Sequence, residues 1–404
     1  MIAVEAAIAR IRAAFSALPA ETISLDQALG RVLAQAVAAH VSHPPCAVSA
    51  MDGYAIRADD VPEVPAVLRV PGASTAGAGY VERIQPKEAV RIFTGAPVPA
   101  GADTIIIQEH TQQSDGHVVV QRPPQPGRHI RRMAQDFAAG DVLLKAGRRL
   151  SARDLGLVAA MNVPWLRVHR KPRIAVVATG DELVLPGEPI GPAQIVSSAS
   201  VFVTAALRGF GAEPVSLGIT GDDAAALAGT IRAARGADLL ITIGGASVGD
   251  FDLVRRALDG EGFDLDFYKV AMRPGKPLIF GRLNAMPVLG LPGNPVSAGI
   301  TLLRFAKPAI EAMLGLDASS PPLPTVQLAT DLPANDDRED YIRATLCRDA
   351  DGDVIATPLR SQDSALLSAF AAAECLLVRP PHAAAAKAGE RSAALIFSDH
   401  APTF

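Results

Sequence analysis

The sequence predicts a multidomain α/β-plus-β protein: a doubly wound α/β domain, an elongated helical/β N-terminal domain with a small β domain inserted in it, and a C-terminal β domain. Three observations carry this reading. From Pro172 onward, three apolar strand-like runs in succession end in loops of glycine plus an acid: Thr179-Gly180-Asp181-Glu182, Thr220-Gly221-Asp222-Asp223, and the Gly244-Gly245 loop that reaches Asp250. In a parallel doubly wound sheet such loops share one edge, where ligands bind. Upstream, residues 44–136 carry short strand signals between Gly, Pro and Asp turns, and strand signals return after Pro321-Pro322.

In chain order, residues 1–43 read as helices, with Ser24 as a cap for 25–39, and 137–168 form the returning half of the same discontinuous domain. The inserted β domain, 44–136, has strands near 66–70, 89–93, 104–108 and 117–121, with Ser114-Asp115-Gly116 turning between the last two. The α/β domain spans 169–319: strands at 173–178, 214–219 and 237–243, helices at 197–210, 224–235 and 251–258. Two further apolar runs, 278–280 and 287–291, precede a helix at 298–312. The last domain, 320–404, shows a hairpin signal: 341–347 and 354–358 flank the turn 349–353.

Composition limits the function. With 404 residues, 20% of them charged, a net charge of −4 and 4% aromatics, the chain has neither the basic excess nor the stacking residues of a nucleic-acid binder. Three cysteines far apart (Cys46, Cys347, Cys375) give no disulfide framework and no CxxC metal site. Glu5, Arg10 and Arg12 interrupt the apolar N-terminus as an amphipathic helix would, and the apolar run 365–378 is too short to span a bilayer. The expectation is a soluble, cytoplasmic protein without membrane or nucleic-acid partners.

Any anion site must therefore be local, and 273–297 is where the sequence offers one. Arg273 and Lys276 flank a Pro-Gly turn, and Pro292-Gly293-Asn294-Pro295-Val296-Ser297 leads into the following helix. Asn294 suits an N-cap and Pro295 the first helical position, so helix N–H groups would face the basic turn. A plain capped turn accounts for the same residues. Clustered acids in glycine loops, Glu182, Asp222, Asp223 and Asp250, suit a hard cation such as magnesium, which takes one or two carboxylates and fills its shell with water and phosphate oxygens. No strand is followed by GxxxxGK[ST] or GxGxxG. The residues alone thus indicate an oxyanion- or phosphate-handling α/β domain.

In order, the stretches SAMDGYA, RIFTGAPVPAGAD, ATGDEL, GGASVGDFD, MRPGKP and GLPGNPVS resemble those of the molybdopterin molybdenumtransferases, the MoeA and gephyrin E-domain family, from about residue 24 to the C-terminus. The resemblance implies four domains, a homodimer with an active site shared between subunits, and insertion of molybdate into adenylylated molybdopterin with magnesium-dependent release of AMP. A molybdopterin adenylyltransferase would donate the substrate. By resemblance, Asp222 and Glu182 belong to the pterin-nucleotide and magnesium site, with Asp250 as a further metal ligand. Gly244, Gly245, Ser247, Asp250, Lys269, Pro292 and Pro295 line the substrate pocket, and Asp52 and Thr94 reach it from the partner's β domain. Asp136 matches a further functional acid. Arg273, Lys276, Pro277 and Ser297 match the molybdate region, and Arg343 and Ser364 an entry site for that oxyanion.

Three departures stand out. Ala134-Gln135 replaces the Gly-Glu common before Asp136, Ala199-Ser200 stands where an Asn is common, and Arg273 replaces Lys. A non-catalytic scaffold on this fold would be free to lose acids that are retained here, and an adenylyltransferase would lack the SAMDGYA and RIFTGAP domain.

Overall fold

The computed structural model describes residues 1–245, 262–317 and 322–397. Among them the central sheet has six strands, in the order Glu213–Thr220, Arg173–Thr179, Leu239–Ile243, Met286–Leu291, Ile279–Leu283, Phe263–Tyr268. The first four run parallel, and the last two pair antiparallel. Ile174, Val176 and Ala178 face one apolar layer with Val203 and Leu207, while Ala175 and Val177 face another with Leu227 and Ile231. Both faces of the parallel half are covered, which is why its strands read as unbroken apolar runs. The runs near 278–280 and 287–291 form a hairpin, Leu283 opposite Met286, turned by Asn284 at φ 54°.

The helix Ser198–Phe210 stops at Gly211, whose φ of 98° ends it in the left-handed conformation. The predicted helix at 251–258 lies outside the described residues. The one at 298–312 starts earlier: Pro295–Thr301 continues through a π-helical turn, Leu302–Ala306, into Lys307–Met313.

The N-terminal 43 residues are not a run of helices. Only Val4–Ala13 is an α-helix, and its apolar face (Val4, Ala7, Ile11) packs into the larger core of the α/β domain. Where a helix was expected over 25–39, a single 3₁₀ turn, Leu25–Gln27, gives way at Gly30 (φ 73°) to bridges from Val32 to Arg149 and from Leu33 to Val168. The apolar residues of this segment serve pairing across the domain, which overrides helical spacing. Ala20–Ser24 pairs with Trp165–His169, and Val37–Ala38 with Val142–Leu144, which joins strands of the N-terminal segment to strands after residue 140. His43 stacks on Phe137 with ring centroids 5.6 Å apart, closing the neck of the insertion.

Beyond that neck lie a four-stranded sheet, which includes Gly53–Ile56 and Val90–Ile92, and a three-stranded one. The Ser114-Asp115-Gly116 turn joins Thr111–Ser114, a strand absent from the sequence reading, to His117–Val120. In the last domain Glu339–Arg348 pairs with both Val354–Pro358 and Cys375–Arg379, and the ring through Thr325–Leu328 and Arg391–Ile396 closes into a small barrel. The strand Met272–Arg273 joins that barrel in parallel with Glu339–Arg348, tying the basic turn to it.

Candidate active site

The loops at the carboxyl ends of the parallel strands open into a cleft of about 740 Å³. Its lining unites residues distant in sequence: Glu182, Asp222, Gly244, Gly245, Arg273, Lys276, Pro277, Pro292, Pro295, Ser297 and Ser364. Eleven of the residues expected at the site thus share one wall-to-wall space. Ser247 and Asp250 lie outside the described residues.

On the acid side, Asp181 organises the loops. Its Oδ1 accepts the Asp222 backbone N–H at 2.9 Å, linking the first and second glycine-acid loops. A side chain at Gly221 would stand 2.6 Å from that same oxygen, so only glycine leaves room for this bond. Sequence reasoning passed over Asp181, which braces its neighbour loop. Asp223 caps the helix Ala224–Ala233 by accepting the Ala226 N–H at 2.7 Å, so Asp222 is not needed for that cap. Among the described residues there is no group of three or more His, Cys, Asp and Glu placed to hold a metal.

The glycines of the third loop and of the Pro-Gly-Asn-Pro turn set how closely these loops approach. A Cβ at Gly244 (φ 89°) would fall 2.7 Å from the Thr179 carbonyl oxygen, and one at Gly293 would already touch Gly244 at 3.5 Å. Asn294 precedes the helix but makes no side-chain cap. Its amide instead donates to Ser364 Oγ at 3.1 Å, and the Val296 N–H donates to the Ser364 carbonyl at 3.2 Å. One of the helix N–H groups expected for an oxyanion is therefore spent on the C-terminal domain, and Ser364 is held at the cleft by two bonds.

The two basic residues of the turn differ. Arg273 donates from Nη2 to Asp340 Oδ2 at 2.6 Å and from Nη1 to Asp336 Oδ2 at 3.3 Å, and the bond to Asp340 raises its already high pKa. Its guanidinium is committed to the barrel. Lys276 is exposed on the cleft, and its ammonium has no hydrogen-bond or ion-pair partner among the described residues. Gly275 between them (φ 103°) packs so close to Thr301 that a Cβ would lie 2.6 Å from its methyl group.

Five expected residues stand away from the cleft lining. Arg343 is buried behind it, with Nε on Gln362 Oε1 at 3.2 Å, Nη1 on the Asp363 carbonyl at 2.9 Å, and Nη2 without a partner among the described residues. It braces the loop that presents Ser364. Lys269, at φ 74°, lays its ammonium 4.8 Å from the centroid of the Tyr268 ring rather than in the cleft. Asp136 is exposed beside the neck. Asp52 and Thr94 form a compact pair on the β domain: Asp52 Oδ1 accepts the Thr94 N–H at 2.7 Å and its hydroxyl at 2.8 Å. The backbone bond first, then the hydroxyl, hold the Asp52 carboxyl below the usual carboxylate range.

Comparison with known proteins agrees with this layout. Residues 2–162 match the MoeA N-terminal region (domains I and II), residues 175–312 a probable molybdopterin binding domain, and residues 325–397 the MoeA C-terminal region (domain IV). The molybdopterin molybdenumtransferase of a Nostoc species is 39% identical over 81% of this chain and 77% of its own length. That of Haemophilus influenzae is 35% identical over 92% of each chain. The crystal structure of a molybdopterin biosynthesis MoeA protein from Pyrococcus horikoshii superposes with a TM-score of 0.84 at 25% identity, covering 98% of this chain and all of that one.

Proposed function

Because this chain belongs to the molybdopterin molybdenumtransferase family, we propose that it inserts molybdate into adenylylated molybdopterin with magnesium-dependent release of AMP, completing molybdenum cofactor synthesis. The observation that carries this reading is the cleft itself, where the Lys276 ammonium, without a partner among the described residues, shares one lining with the acids Glu182 and Asp222. Molybdate, a tetrahedral dianion and a substrate here, suits Lys276 with the hydroxyls of Ser297 and Ser364. Arg273 keeps the turn in place rather than meeting the oxyanion first. Arg343 acts through Ser364.

Hard carboxylate oxygens on two loops braced by Asp181 are the donors magnesium takes, and phosphate oxygens with water complete such a shell. Asp222 and Glu182, with Asp250, would hold the ion, whose charge opposes that developing on the phosphate oxygens as AMP leaves. Gly244 and Gly245, with Pro292 and Pro295, let the substrate approach backbone closely. No His or Cys lines the cleft among the described residues, and the chemistry asks for no protein nucleophile, since the pterin's dithiolene sulfurs receive the metal.

Asp52 and Thr94 lie off the cleft of their own chain, so in this reading they complete the partner's cleft in a cytoplasmic homodimer, with Asp136 beside that junction. A molybdopterin adenylyltransferase supplies the substrate. Mixing Asp52→Ala and Asp222→Ala chains tests both parts at once. Each heterodimer keeps one intact site, so AMP release from molybdate and adenylylated molybdopterin should recover to roughly a quarter of wild type after random exchange. No recovery after confirmed subunit exchange means that the sites are not shared.

A further inference from the structure

A third cation reaches the cleft from the barrel side, and neither the motifs nor the family resemblance drew attention to it. Arg338 belongs to the cleft lining, just before the strand Glu339–Arg348. Its backbone is fixed at both ends: its N–H donates to Asp336 Oδ1 at 2.9 Å, and its carbonyl accepts from Asn335 Nδ2 at 2.7 Å. Its guanidinium donates from Nη2 to Asp336 Oδ2 at 2.6 Å, and Nε stands 4.0 Å from Asp337 Oδ1. Nη1 makes no hydrogen bond among the described residues. The Asp336 oxygen that holds Arg338 also accepts from Arg273 Nη1 at 3.3 Å. One carboxylate thus answers two guanidinium groups across a domain boundary. Arg273 has Asp340 as a second partner, at 2.6 Å, whereas among the described residues Arg338 has only the looser Asp337.

We propose that Arg338 is a further binding residue of this site, taking a tetrahedral oxyanion with the part of its guanidinium fork that Asp336 does not occupy. Asp336 occupies the rest of that fork and competes with the anion for it. A planar fork matches two oxygens of such an anion, which Lys276 as a point charge does not do. The oxyanion is either free molybdate or the phosphate of the adenylylated substrate; that choice of ligand rests on the function proposed above.

The test measures binding of sodium molybdate and of AMP to the full chain by titration calorimetry, in wild type, Arg338→Gln, Arg338→Lys and Asp336→Asn. Arg338→Gln should weaken one of the two anions about tenfold, the loss of one charge-assisted contact, and Arg338→Lys should recover part of it. Which anion weakens identifies the source of the oxyanion. Asp336→Asn removes the competing carboxylate and should bind that anion as tightly as wild type or more tightly. If the Arg338–Asp336 pair were only a brace for the loop, both variants would break the same contact and lose affinity together, and that result overturns the assignment. So does Arg338→Gln binding both anions like wild type. A wild type that binds neither anion overturns the proposed function itself, and this assignment with it.

Discussion

The β-domain pair and the α/β cleft handle charge in opposite ways. On the β domain the partners of the pair are already present. Asp52 is bonded twice by Thr94, and nearby Arg91 lies between the Tyr54 and Phe93 rings, 5.1 and 5.0 Å from their centroids, with its N–H groups on the Gly53 carbonyl and Gln108. In the cleft Lys276 has no ion-pair partner among the described residues, and among them Thr179 Oγ1 on its lining and Arg343 Nη2 behind it are buried without partners. A buried polar atom left unpaired costs about 1–3 kcal/mol, so it is seldom kept without a use. In the function proposed above, the first region presents a group in fixed form and the second receives one.

The largest expected effect breaks the receiving side. Asp222→Asn keeps size and hydrogen bonding but removes the charge, and Asp223 still caps the helix Ala224–Ala233. AMP release should fall by about a hundredfold or more, with thermal unfolding little changed. Near-normal turnover would move the metal role to another carboxylate, Asp250 first.

A smaller effect separates the two cations of the basic turn. Lys276→Ala should weaken molybdate dependence by about ten- to a hundredfold, the loss of a charge-assisted contact worth about 1.5–3 kcal/mol. Its unfolding curve should overlie that of wild type, because no partner is lost. Arg273→Ala should instead loosen the barrel from the α/β domain, read as faster amide exchange along Glu339–Arg348, with less change in molybdate dependence. The reverse pattern would make Arg273 the oxyanion ligand and Lys276 the structural residue.

Much of this cleft was legible in the sequence because its parts are loops after buried strands, and buried strands announce themselves as apolar runs ending in glycine and acid. The same signal found Glu182, Asp222, Gly244 and Gly245 without a structure. The 25–39 segment was not legible. Its apolar spacing suits a helix, and only the distant segment 137–168, which supplies its strand partners, decides otherwise. Asp181, Asp336 and Arg338 were missed for a related reason. Asp181 and Asp336 work through contacts 41 and 63 residues away, and Arg338 is brought to the cleft of another domain by the fold alone. The division of labour between Arg273 and Lys276 was equally hidden, since Asp336 and Asp340 lie in another domain.

The smallest effect sharpens the presenting side. Ala134 sits at φ 58° in the loop before Asp136, with its N–H on the Pro44 carbonyl at 3.0 Å, and it stands where glycine is common in the resembling family. The left-handed region costs a residue with a Cβ about 1–2 kcal/mol. Glycine avoids that cost but gives back about 0.4–1 kcal/mol through the greater freedom of the unfolded chain. Ala134→Gly should therefore stabilise the N-terminal region by about 0.5–1 kcal/mol, read as a rise of about 2 °C in the transition that carries it. Gln135 still accepts the Arg132 N–H at 3.1 Å, so the turn itself survives the change. If the β-domain side is fixed in advance, relieving this strain leaves AMP release unaltered. A gain in stability with a loss of turnover would show instead that the strained loop holds Asp136 in its working position, and the presenting side would then owe its geometry to strain as well as to hydrogen bonds.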